Sequence, residues 1–313
     1  MSYTVRECDE EDFGQVTAVS RSVYAKKPGS FSLVSDMKDS RMLKKYVVTD
    51  HEGQTAGYGL LWEQYASPNL ILKVEILFRR EYRNELAVDA LFDKITDDIH
   101  RIHPYAVQAR TFDDQTRLLH FYEKYGFAEN HRMVHTYLGA ADADLAPYAE
   151  LENRLRSQGI TITTMAREQI RDKDWFPKLQ TLNSMTWADY PSEPLLPPAP
   201  PNDKWLTHKD NIPEAFFIAR TEDKYVGYSQ LMRMEQDSEH AMQGPTATLG
   251  EYRGKGVATA LKVKGIEYAK ASGYKGIYTS YRNVNIPMKA VNDKLGWLPY
   301  SSEIRLEKRI EGA

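Results

Sequence analysis

The sequence predicts an α/β layered fold that is built from two tandem domains. Its 313 residues correspond to two domains at roughly 100–200 residues each. Strand-like and helix-like runs alternate along the chain, which favours helices layered on a sheet. In addition, a segment of the second half repeats a segment of the first half.

The repeated segment reads EYRGKGVATALK at residues 251–262 and EYRNELAVDALF at residues 81–92. Adding 170 (251 − 81) to a position in the first copy therefore gives its counterpart. The same shift places Gly57 on Gly227 and Gly126 on Gly296, with no gap between these landmarks. These matches indicate an internal duplication, in which the earlier copy lacks both glycines of the later one.

Both halves have the same predicted order of elements. An opening strand, YTVRE or ITITTM, precedes a helical segment. Two apolar strands joined by a polar turn follow: KKYVVTD and QTAGYGLLW in the first half, EAFFIAR and KYVGYSQLM in the second. A further strand, a long helix, a strand, a second helix and closing strands complete each half. In the long helix of the second half, these residues recur at helical spacing: Val257, Ala260, Leu261, Lys264 and Tyr268.

We place a degenerate first domain at residues 1–140 and the second domain at residues 160–313. Residues 141–159 between them predict a polar linker helix that ends at Gly159. Within the second domain, residues 190–201 (YPSEPLLPPAPP) contain six prolines and therefore follow an extended path. This segment is either a surface loop or one wall of a substrate pocket.

The composition excludes several classes of protein. Hydrophobic residues make up 42% of the chain and charged residues 27%, as in soluble globular proteins. The net charge of −3 argues against a nucleic-acid partner. No apolar run approaches the roughly 18 residues of a membrane span, and the acidic N-terminus does not resemble a signal peptide. A single cysteine, Cys8, excludes an internal disulfide, so we expect a cytoplasmic protein.

No metal site is expected, although two pairs of histidines have suitable spacing. His100 with His103, and His131 with His135, could each supply two ligands. A zinc site needs at least three protein ligands, and the sequence offers no third ligand near either pair.

The glycines of the later copy lie in TATLGEYRGKGVATALK, which predicts a strand, a tight turn and a helix that begins near Gly256. A helix start binds anions through its unpaired N–H groups. Gly254 and Gly256 would let phosphates approach the backbone, and Arg253 and Lys255 add positive charge. A Walker loop would need Ser or Thr after the lysine, and a dinucleotide fingerprint would need glycine at Thr259. A turn without any ligand is the remaining alternative.

Residues 253–258 (Arg-Gly-Lys-Gly-Val-Ala) resemble the [QR]xxGx[GA] signature of the GNAT superfamily of N-acetyltransferases. A second landmark of that superfamily is an Asn that opens the next helix, followed by Tyr after seven residues and Gly-Phe after eleven and twelve. Here these positions hold Asn285, Asn292 and Gly296-Trp297. The order of elements extends the likeness over residues 160–310. The doubled arrangement is similar to that of tandem members, of which mycothiol synthase is one.

The resemblance implies two GNAT-like domains, each with a mixed, mostly antiparallel sheet flanked by helices. It also implies acetyl-CoA in the second domain, with its pyrophosphate on the turn and its arm along the preceding strand. The residues implied to bind the cofactor are Ala247, Thr248, Leu249, Arg253, Gly254, Lys255, Gly256, Val257, Ala258, Thr259 and Asn285. In the first domain Glu85 and Leu86 replace Lys255 and Gly256, and we therefore expect cofactor binding there to be lost or weakened.

The catalytic residues are less clearly implied. A backbone N–H near Leu249 is expected to bond the thioester oxygen. Asn292 stands where many relatives have a tyrosine acid; it can donate a hydrogen bond but no proton, so Tyr281 is a candidate substitute. Glu235 and Glu239 are candidate bases, with deprotonation through water as the alternative.

For the acceptor we expect a pocket of acidic and aromatic residues, which would suit a cationic amine. The candidates for this pocket are Trp187, Asp189, Tyr190 and Glu193. The sequence thus predicts an N-acetyltransferase that moves an acetyl group from acetyl-CoA to a primary amine of a small molecule. Its active site would lie in the C-terminal domain of a monomer or homodimer. The alternative is a non-catalytic CoA-binding or partner-binding module, which Asn292 and the missing base favour.

Overall fold

The computed structural model describes residues 3–24, 37–66, 69–82, 85–189, 206–235 and 237–310. The chain forms two compact units. The first contains Met1–Arg132 together with Glu303–Ala313, and the second contains Met133–Ser302.

The first unit is a sheet with helices. Its strands are β1 (Thr4–Glu7), β2 (Met42–Thr49), β3 (Thr55–Tyr65), β4 (Ile71–Phe78), β5 (Ala106–Phe112) and the end of β12 (Leu298–Arg309). Neighbouring strands follow that order, and only β4 and β5 pair in parallel. The helices are α1 (Phe13–Tyr24), α2 (Glu85–Ile102) and α3 (Thr116–Lys124).

The second unit has the same architecture. Its strands are the end of β6 (Ala128–Gly139), then β7 (Thr161–Thr164), β8 (Asn211–Arg220), β9 (Tyr225–Met234), β10 (Asp237–Thr248) and β11 (Gly276–Arg282). They are arranged β6-β11-β10-β9-β8-β7, and only β10 and β11 pair in parallel. The helices are α4 (Leu151–Ser157), α5 (Met165–Arg171), α6 (Trp175–Trp187), α7 (Val257–Ala271) and α8 (Ile286–Lys294). The predicted fold class is therefore confirmed.

The shift of 170 relates whole elements as well as single residues. It carries β5, α3 and β6 onto β11, α8 and β12 with identical bounds. The equivalent positions 57 and 227 both hold glycine for a physical reason. A Cβ at Gly57 would lie 2.6 Å from the Leu77 carbonyl oxygen, and one at Gly227 would lie 3.0 Å from that of Ala247. In both units, therefore, the neighbouring strand passes too close for a side chain.

The residues of the two compact units do not follow the predicted domain boundaries at residues 140 and 160. Residues 133–139 pair with β11 in the second unit, and residues 303–309 pair with β5 in the first. The helix expected in residues 141–159 forms as α4, and Gly159 follows it with a positive φ of 76°. Leu151 and Leu155 of α4 are buried in the core of the second unit, so α4 is part of that unit.

Each unit has its own hydrophobic core. Phe92, Tyr122 and Phe127 lie in the core of the first unit, whereas Phe216 and Trp297 lie in the core of the second. Among the described residues, no helix has the length and hydrophobicity needed to cross a bilayer. The proline-rich segment at residues 190–201 lies outside the described residues.

Candidate functional site

The candidate site begins where β10 separates from β11. Their parallel pairing covers three positions and, within the described residues, ends at Met242 opposite Tyr278. Both strands continue, β10 to Thr248 and β11 to Arg282. On its other side, β10 has an irregularity between Gln243 and Thr246, where Pro245 cannot donate a backbone hydrogen bond. The two strands therefore leave an opening beyond Met242.

The pairing of β10 with β9 decides which backbone groups face this opening. The Leu249 N–H donates to the Val226 carbonyl at 3.0 Å, on the β9 side. Backbone groups alternate in direction along a strand, so those of Ala247 also face β9. The groups of Thr246 and Thr248 then face the opening. The Leu249 N–H is therefore already bonded, and the nearest N–H that faces the opening is that of Thr248. The donor near Leu249 stays a prediction.

The glycine turn follows β10 directly. A short 3-10 turn at Gly250–Tyr252 leads to Gly254 and Gly256, which have φ values of +75° and +90°, and α7 begins at Val257. A Cβ at Gly254 would meet nothing within 4 Å, whereas a Cβ at Gly256 would lie 2.9 Å from Leu151 Cδ1. Gly254 therefore borders open space, and Gly256 serves both the turn and the packing of α4. The 15-residue helix α7 follows this turn directly, so its first, unpaired N–H groups lie next to Gly256.

Positive side chains surround the turn. The Lys255 and Lys224 ammonium groups lie 4.8 and 5.4 Å from the centre of the Tyr252 ring. Arg253 donates to the Thr248 carbonyl at 3.2 Å and pairs with Asp189 at 2.8 Å. A predicted acceptor residue thus contacts a predicted cofactor residue. This pair is half exposed on both sides and contributes little to stability, so an anion can compete for the guanidinium.

The remaining cofactor candidates divide into core and surface positions. Val257 is buried in the core, while Ala258 and Thr259 are half-buried in the first turn of α7. Asn285 caps α8, because its Oδ1 accepts a hydrogen bond from the Met288 N–H at 3.2 Å. Its amide N–H₂ is therefore the group it can offer to a ligand.

The candidate bases are not brought to the opening. Glu235 pairs with Lys209 at 3.5 Å, and Glu239 pairs with Lys275, all on exposed side chains. Glu239 lies nine residues before Thr248, which corresponds to about 30 Å along an extended strand. Neither carboxylate is placed to take a proton from an amine at the opening.

The acceptor candidates are only partly visible. Trp187 is half-buried at the end of α6, and Asp189 follows it. Tyr190 and Glu193 lie outside the described residues.

The two histidine pairs lie on different elements. His100 lies in α2, His103 follows that helix, and His131 and His135 lie in β6. Across the part of the chain that the structure describes, no group of three or more His, Cys, Asp or Glu side chains could hold a metal ion.

Tyr281, the candidate acid, is buried on β11. Burial raises its pKa. From α8, Lys289 lowers this pKa and Asp293 raises it, each by less than burial does. A tyrosine that resists ionisation can donate a hydrogen bond but is a weak proton donor at neutral pH.

Asn292 has a partner that sequence reasoning missed. The Lys262 ammonium, on α7, donates to Asn292 Oδ1 at 2.8 Å and lies 4.4 Å from the centre of the Trp297 ring. Lys262 is only 1% exposed, and burial lowers its pKa to about 7. A signal for this pair was present in the sequence, because the shift of 170 places Lys262 on Phe92 and Asn292 on Tyr122.

The equivalent region of the first unit contains a cavity of about 840 Å³. Its lining includes Leu77, Phe78, Val88, Asp89 and Gln115, the counterparts of five predicted cofactor residues: Ala247, Thr248, Ala258, Thr259 and Asn285. Leu86 does not fill this cavity, because its side chain is 73% exposed at the start of α2. Arg83 and the side chain of Glu85 lie outside the described residues. Loss of cofactor binding by the first unit stays a prediction.

The first unit also carries a carboxylate that the sequence reasoning missed. Glu75 on β4 is buried and accepts hydrogen bonds from the Tyr58 hydroxyl at 2.6 Å and from Arg110 at 3.0 Å. Its counterpart in the second unit is Pro245. The two units thus carry different chemistry at the same position of the fold.

Residues 179–297 match the acetyltransferase (GNAT) family model. This range runs from α6 to the end of α8 and includes the glycine turn, Asn285 and Asn292. No curated protein sequence matches the chain significantly.

Solved structures similar in fold cover almost the whole chain. A GCN5-related N-acetyltransferase from Sphaerobacter thermophilus aligns over 98% of this chain and 95% of its own, with a TM-score of 0.67 and 16% identity. A tandem GNAT protein from the clavulanic acid biosynthesis pathway aligns over 98% of both chains, with a TM-score of 0.65 and 16% identity. A glucosamine N-acetyltransferase region of a fungal multi-domain enzyme aligns over 98% of this chain and 38% of its own, with a TM-score of 0.71 and 12% identity.

Residues 179–297, within the second unit, are therefore similar to the acetyltransferase (GNAT) family. The chain as a whole has the fold of tandem GNAT proteins.

Proposed function

We propose that this protein is an N-acetyltransferase that uses acetyl-CoA in its second unit and transfers the acetyl group to a primary amine of a small molecule. One observation carries the proposal: β10 leaves β11 after Met242 and runs directly into a left-handed glycine turn at the start of α7. An extended arm that ends in a diphosphate fits this arrangement. The arm pairs with a strand edge, and the diphosphate meets a helix N-terminus.

The residues present suit such a ligand. The backbone groups of Thr246 face the opening and can pair with the amides of the arm, whereas the Thr248 carbonyl already accepts a hydrogen bond from Arg253. Gly254 leaves space for a phosphate, and the first N–H groups of α7 bind it with the help of Lys255. Bound acetyl-CoA supplies the acetyl thioester.

The chain's own groups then polarise the thioester and receive the amine. The Thr248 N–H donates to the carbonyl oxygen, where negative charge develops during transfer. An alkyl ammonium has a pKa near 10.4, so it reacts only after it loses a proton. Because Glu235 and Glu239 pair with lysines elsewhere, we assign that deprotonation to water. A small amine suits the chain better than a basic protein tail, because its net charge of −3 provides no strongly acidic docking surface.

The alternative function is a CoA-binding or partner-binding module without turnover. It is favoured by Asn292, which cannot deliver a proton as a tyrosine can. Release of free CoA thiol from acetyl-CoA, measured with a panel of amines at pH 6–9, separates the two functions. Binding without turnover on any amine would favour the module.

The cofactor site is tested by giving the second unit the residues of the first. The double substitution Gly254→Asn with Lys255→Glu copies Asn84 and Glu85. Asparagine tolerates the positive φ at position 254, and a side chain there meets open space, so the fold is preserved. Removing charge-assisted contacts to phosphate is expected to weaken acetyl-CoA binding about tenfold or more in calorimetry.

A matched control is Lys209→Glu, which makes the same charge change on an exposed side chain away from the turn. It should leave the affinity unchanged. Gly256→Leu is a poorer test, because its side chain would collide with Leu151. Unchanged acetyl-CoA affinity in a folded Gly254→Asn/Lys255→Glu variant would refute the proposed site.

A further inference from the structure

We infer that Lys262 is a positioning residue, which holds the Asn292 amide so that its N–H₂ group faces the sulfur of the bound thioester. The inference rests on the proposed function, because it needs acetyl-CoA in the second unit. It assigns a role to a lysine that the glycine turn and the strand opening do not explain.

The contact of Lys262 with Asn292 fixes the direction of the amide. An ammonium group has three N–H donors and no acceptor, so it can bind an amide only through the amide oxygen. Lys262 Nζ lies 2.8 Å from Asn292 Oδ1 inside the core of the second unit. As long as Lys262 is charged, Asn292 Nδ2 must therefore point away from it.

The other end of the amide lacks a partner. Asn292 is 1% exposed, and its Nδ2 has no hydrogen-bond partner among the residues that the structure describes. Buried donors are normally paired, because an unpaired one loses its hydration without compensation. The arrangement indicates an acceptor that arrives with the substrate.

The first unit shows where this amide lies relative to the strand opening. There the counterpart of Asn292 is Tyr122, which is fully buried. The nearby backbone N–H of Ile76 lowers the pKa of its hydroxyl against a larger rise caused by burial, although the hydroxyl forms no hydrogen bond with the described residues. Ile76 also lines the cavity of the first unit. The shift of 170 carries Ile76 onto Thr246, whose backbone faces the opening in the second unit. Asn292 is therefore placed to reach the reacting end of the arm.

The two units place different residues at these two equivalent positions: Phe92 and Tyr122 in the first, Lys262 and Asn292 in the second. In the first unit Tyr122 lies in the same core as Phe92 and Phe127. The ring centres of Tyr122 and Phe127 are 5.3 Å apart. A phenol has one polar atom and needs no partner to orient it. An amide has two ends, and the wrong end would present its oxygen to a sulfur that gains negative charge. Replacing Phe92 by Lys262 supplies the orienting partner that an asparagine needs.

Burial alone sets the charge of Lys262, since it is the sole cause of the lowered pKa of about 7. Titratable groups on the elements packed against Lys262 contact other residues. The ion pairs among these groups are Glu152–Lys264, Arg220–Glu168, Asp237–His240, Glu239–Lys275 and Lys289–Asp293, and Tyr281 lies near the last of them. The hydrogen-bonded groups are Tyr225 with Glu168, Tyr228 with Asn183, and Arg233 with the Asn211 carbonyl. Above neutral pH the lysine becomes an amine that can also accept a hydrogen bond, and the amide is then free to turn.

The amide takes part in the transfer without giving up a proton. A bond forms between the amine nitrogen and the acetyl carbon, and the bond between that carbon and sulfur breaks. The sulfur keeps the electron pair and leaves as a thiolate, while the proton of the amine goes to water. Asn292 stabilises the thiolate by donating a hydrogen bond, which is strengthened by the negative charge.

The first test is binding to the protein without turnover. The Asn292 side-chain N–H₂ signal is followed by NMR in asparagine-labelled protein, with Asn292→Leu to assign it. Coenzyme A is expected to shift this signal, and desulfo-coenzyme A, which lacks the sulfur, is expected not to. In the free protein the signal should also titrate with a midpoint near pH 7, and the titration should vanish in Lys262→Met.

The second test is kinetic. Lys262→Met is expected to lower kcat by about 10- to 100-fold, the value of one hydrogen bond to a charged group, with little change in KM for acetyl-CoA. Its pH profile should lose a break near pH 7 that the wild type shows. The double variant Lys262→Phe/Asn292→Tyr copies the first unit and should exceed both single variants in kcat.

Identical shifts with both coenzymes, or a wild-type kcat and pH profile in Lys262→Met, would overturn the inference while leaving the proposed function standing. Failure of both coenzymes to bind would overturn the proposed function itself. These two failures are therefore distinguishable.

Discussion

A single lysine in the core of the second unit illustrates how much a residue's surroundings change its chemistry. Lys262 occupies a helix position that faces Trp297 and is fully buried. The first unit fills the same position with Phe92, as expected for a core. Burying an ammonium without a carboxylate partner is unfavourable, so such a lysine persists where it serves a function.

The charge state of Lys262 makes a prediction about stability. Its pKa is about 7 in the folded protein and 10.5 in the unfolded chain. Between these values the unfolded chain holds a proton that the folded protein has released, so this group makes wild-type stability rise with pH. Below about pH 7 the folded protein carries the full unfavourable charge.

Lys262→Met removes this pH dependence. The stability of the variant relative to wild type should therefore be most favourable below pH 7 and decline as pH rises toward 10. The change is on the order of 4 kcal/mol, at about 1.4 kcal/mol per pKa unit. Urea unfolding of both proteins from pH 6 to pH 10 measures it, and a difference that stays constant with pH would contradict the assignment.

Other site residues show which roles a sequence can assign. The sequence identified Gly254 and Gly256, because only a positive φ or a close approach requires glycine there, and the structure has both residues in that region. It did not identify the direction of the Leu249 N–H, which depends on pairing with β9. Nor could it show that the Asn285 side-chain oxygen caps α8 by accepting a hydrogen bond from the Met288 N–H.

At the scale of elements, β10 gives the site its shape. It pairs with β9 along its length, but with β11 only as far as Met242. The β4–β5 pair of the first unit ends in the same way, at Lys73 opposite Gln108. A proline and an irregular register at Gly244-Pro245 accompany the separation in β10, whereas β4 has Val74 and Glu75 there. The opening is therefore a property of the fold, and only its lining differs between the units.

The close approach of β9, β10 and α7 predicts the effect of a small substitution. In Gly227→Ala the new Cβ would lie 3.0 Å from the Ala247 oxygen and 3.1 Å from Val257 Cγ1. Moving β10 and α7 apart to relieve these contacts should destabilise the protein by about 1–3 kcal/mol and weaken acetyl-CoA binding. Denaturant unfolding and calorimetry measure the two effects.

Gly14→Ala is the matched control for this prediction. Gly14 lies in α1 of the first unit, where a Cβ meets nothing within 4 Å. Alanine should therefore stabilise α1 by roughly 0.5–1 kcal/mol. Equal effects of the two substitutions would show that the packing around Gly227 is looser than described.

The sequence predicted the order and type of the elements well, because the periodicity of apolar residues and the turn residues are local features of the chain. The shift of 170 even predicted that β5, α3 and β6 would recur as β11, α8 and β12. The end of pairing between β10 and β11 could not be predicted, because it depends on contacts between segments that are distant in sequence.

At the scale of the whole molecule, the two units have diverged in complementary ways. The first keeps a tyrosine at position 122, a buried carboxylate at Glu75 and a cavity of about 840 Å³. The second keeps the glycine turn and the helix start that suit a diphosphate. Both glycines of the turn are missing from the first unit, and Glu85 replaces Lys255, whereas Arg83 matches Arg253.

This divergence predicts one acetyl-CoA per chain. Calorimetry on the wild type should give a stoichiometry near one, since the first unit has Asn84 and Leu86 in place of the glycines that would let a diphosphate approach. The Gly254→Asn/Lys255→Glu variant should then lose the single site. A stoichiometry of two, or one site that persists in the variant, would place a functional site in the first unit.

The sequence by itself determined the fold class, the duplication and the glycine turn, because each follows from periodicity, composition or spacing within a short stretch of chain. Only the tertiary structure decided that residues 303–309 complete the sheet of the first unit and residues 133–139 that of the second. It alone decided that Lys262 contacts Asn292, thirty residues away. The physical reason is that strand partners and buried contacts are chosen by the packing of distant segments, which local patterns do not record.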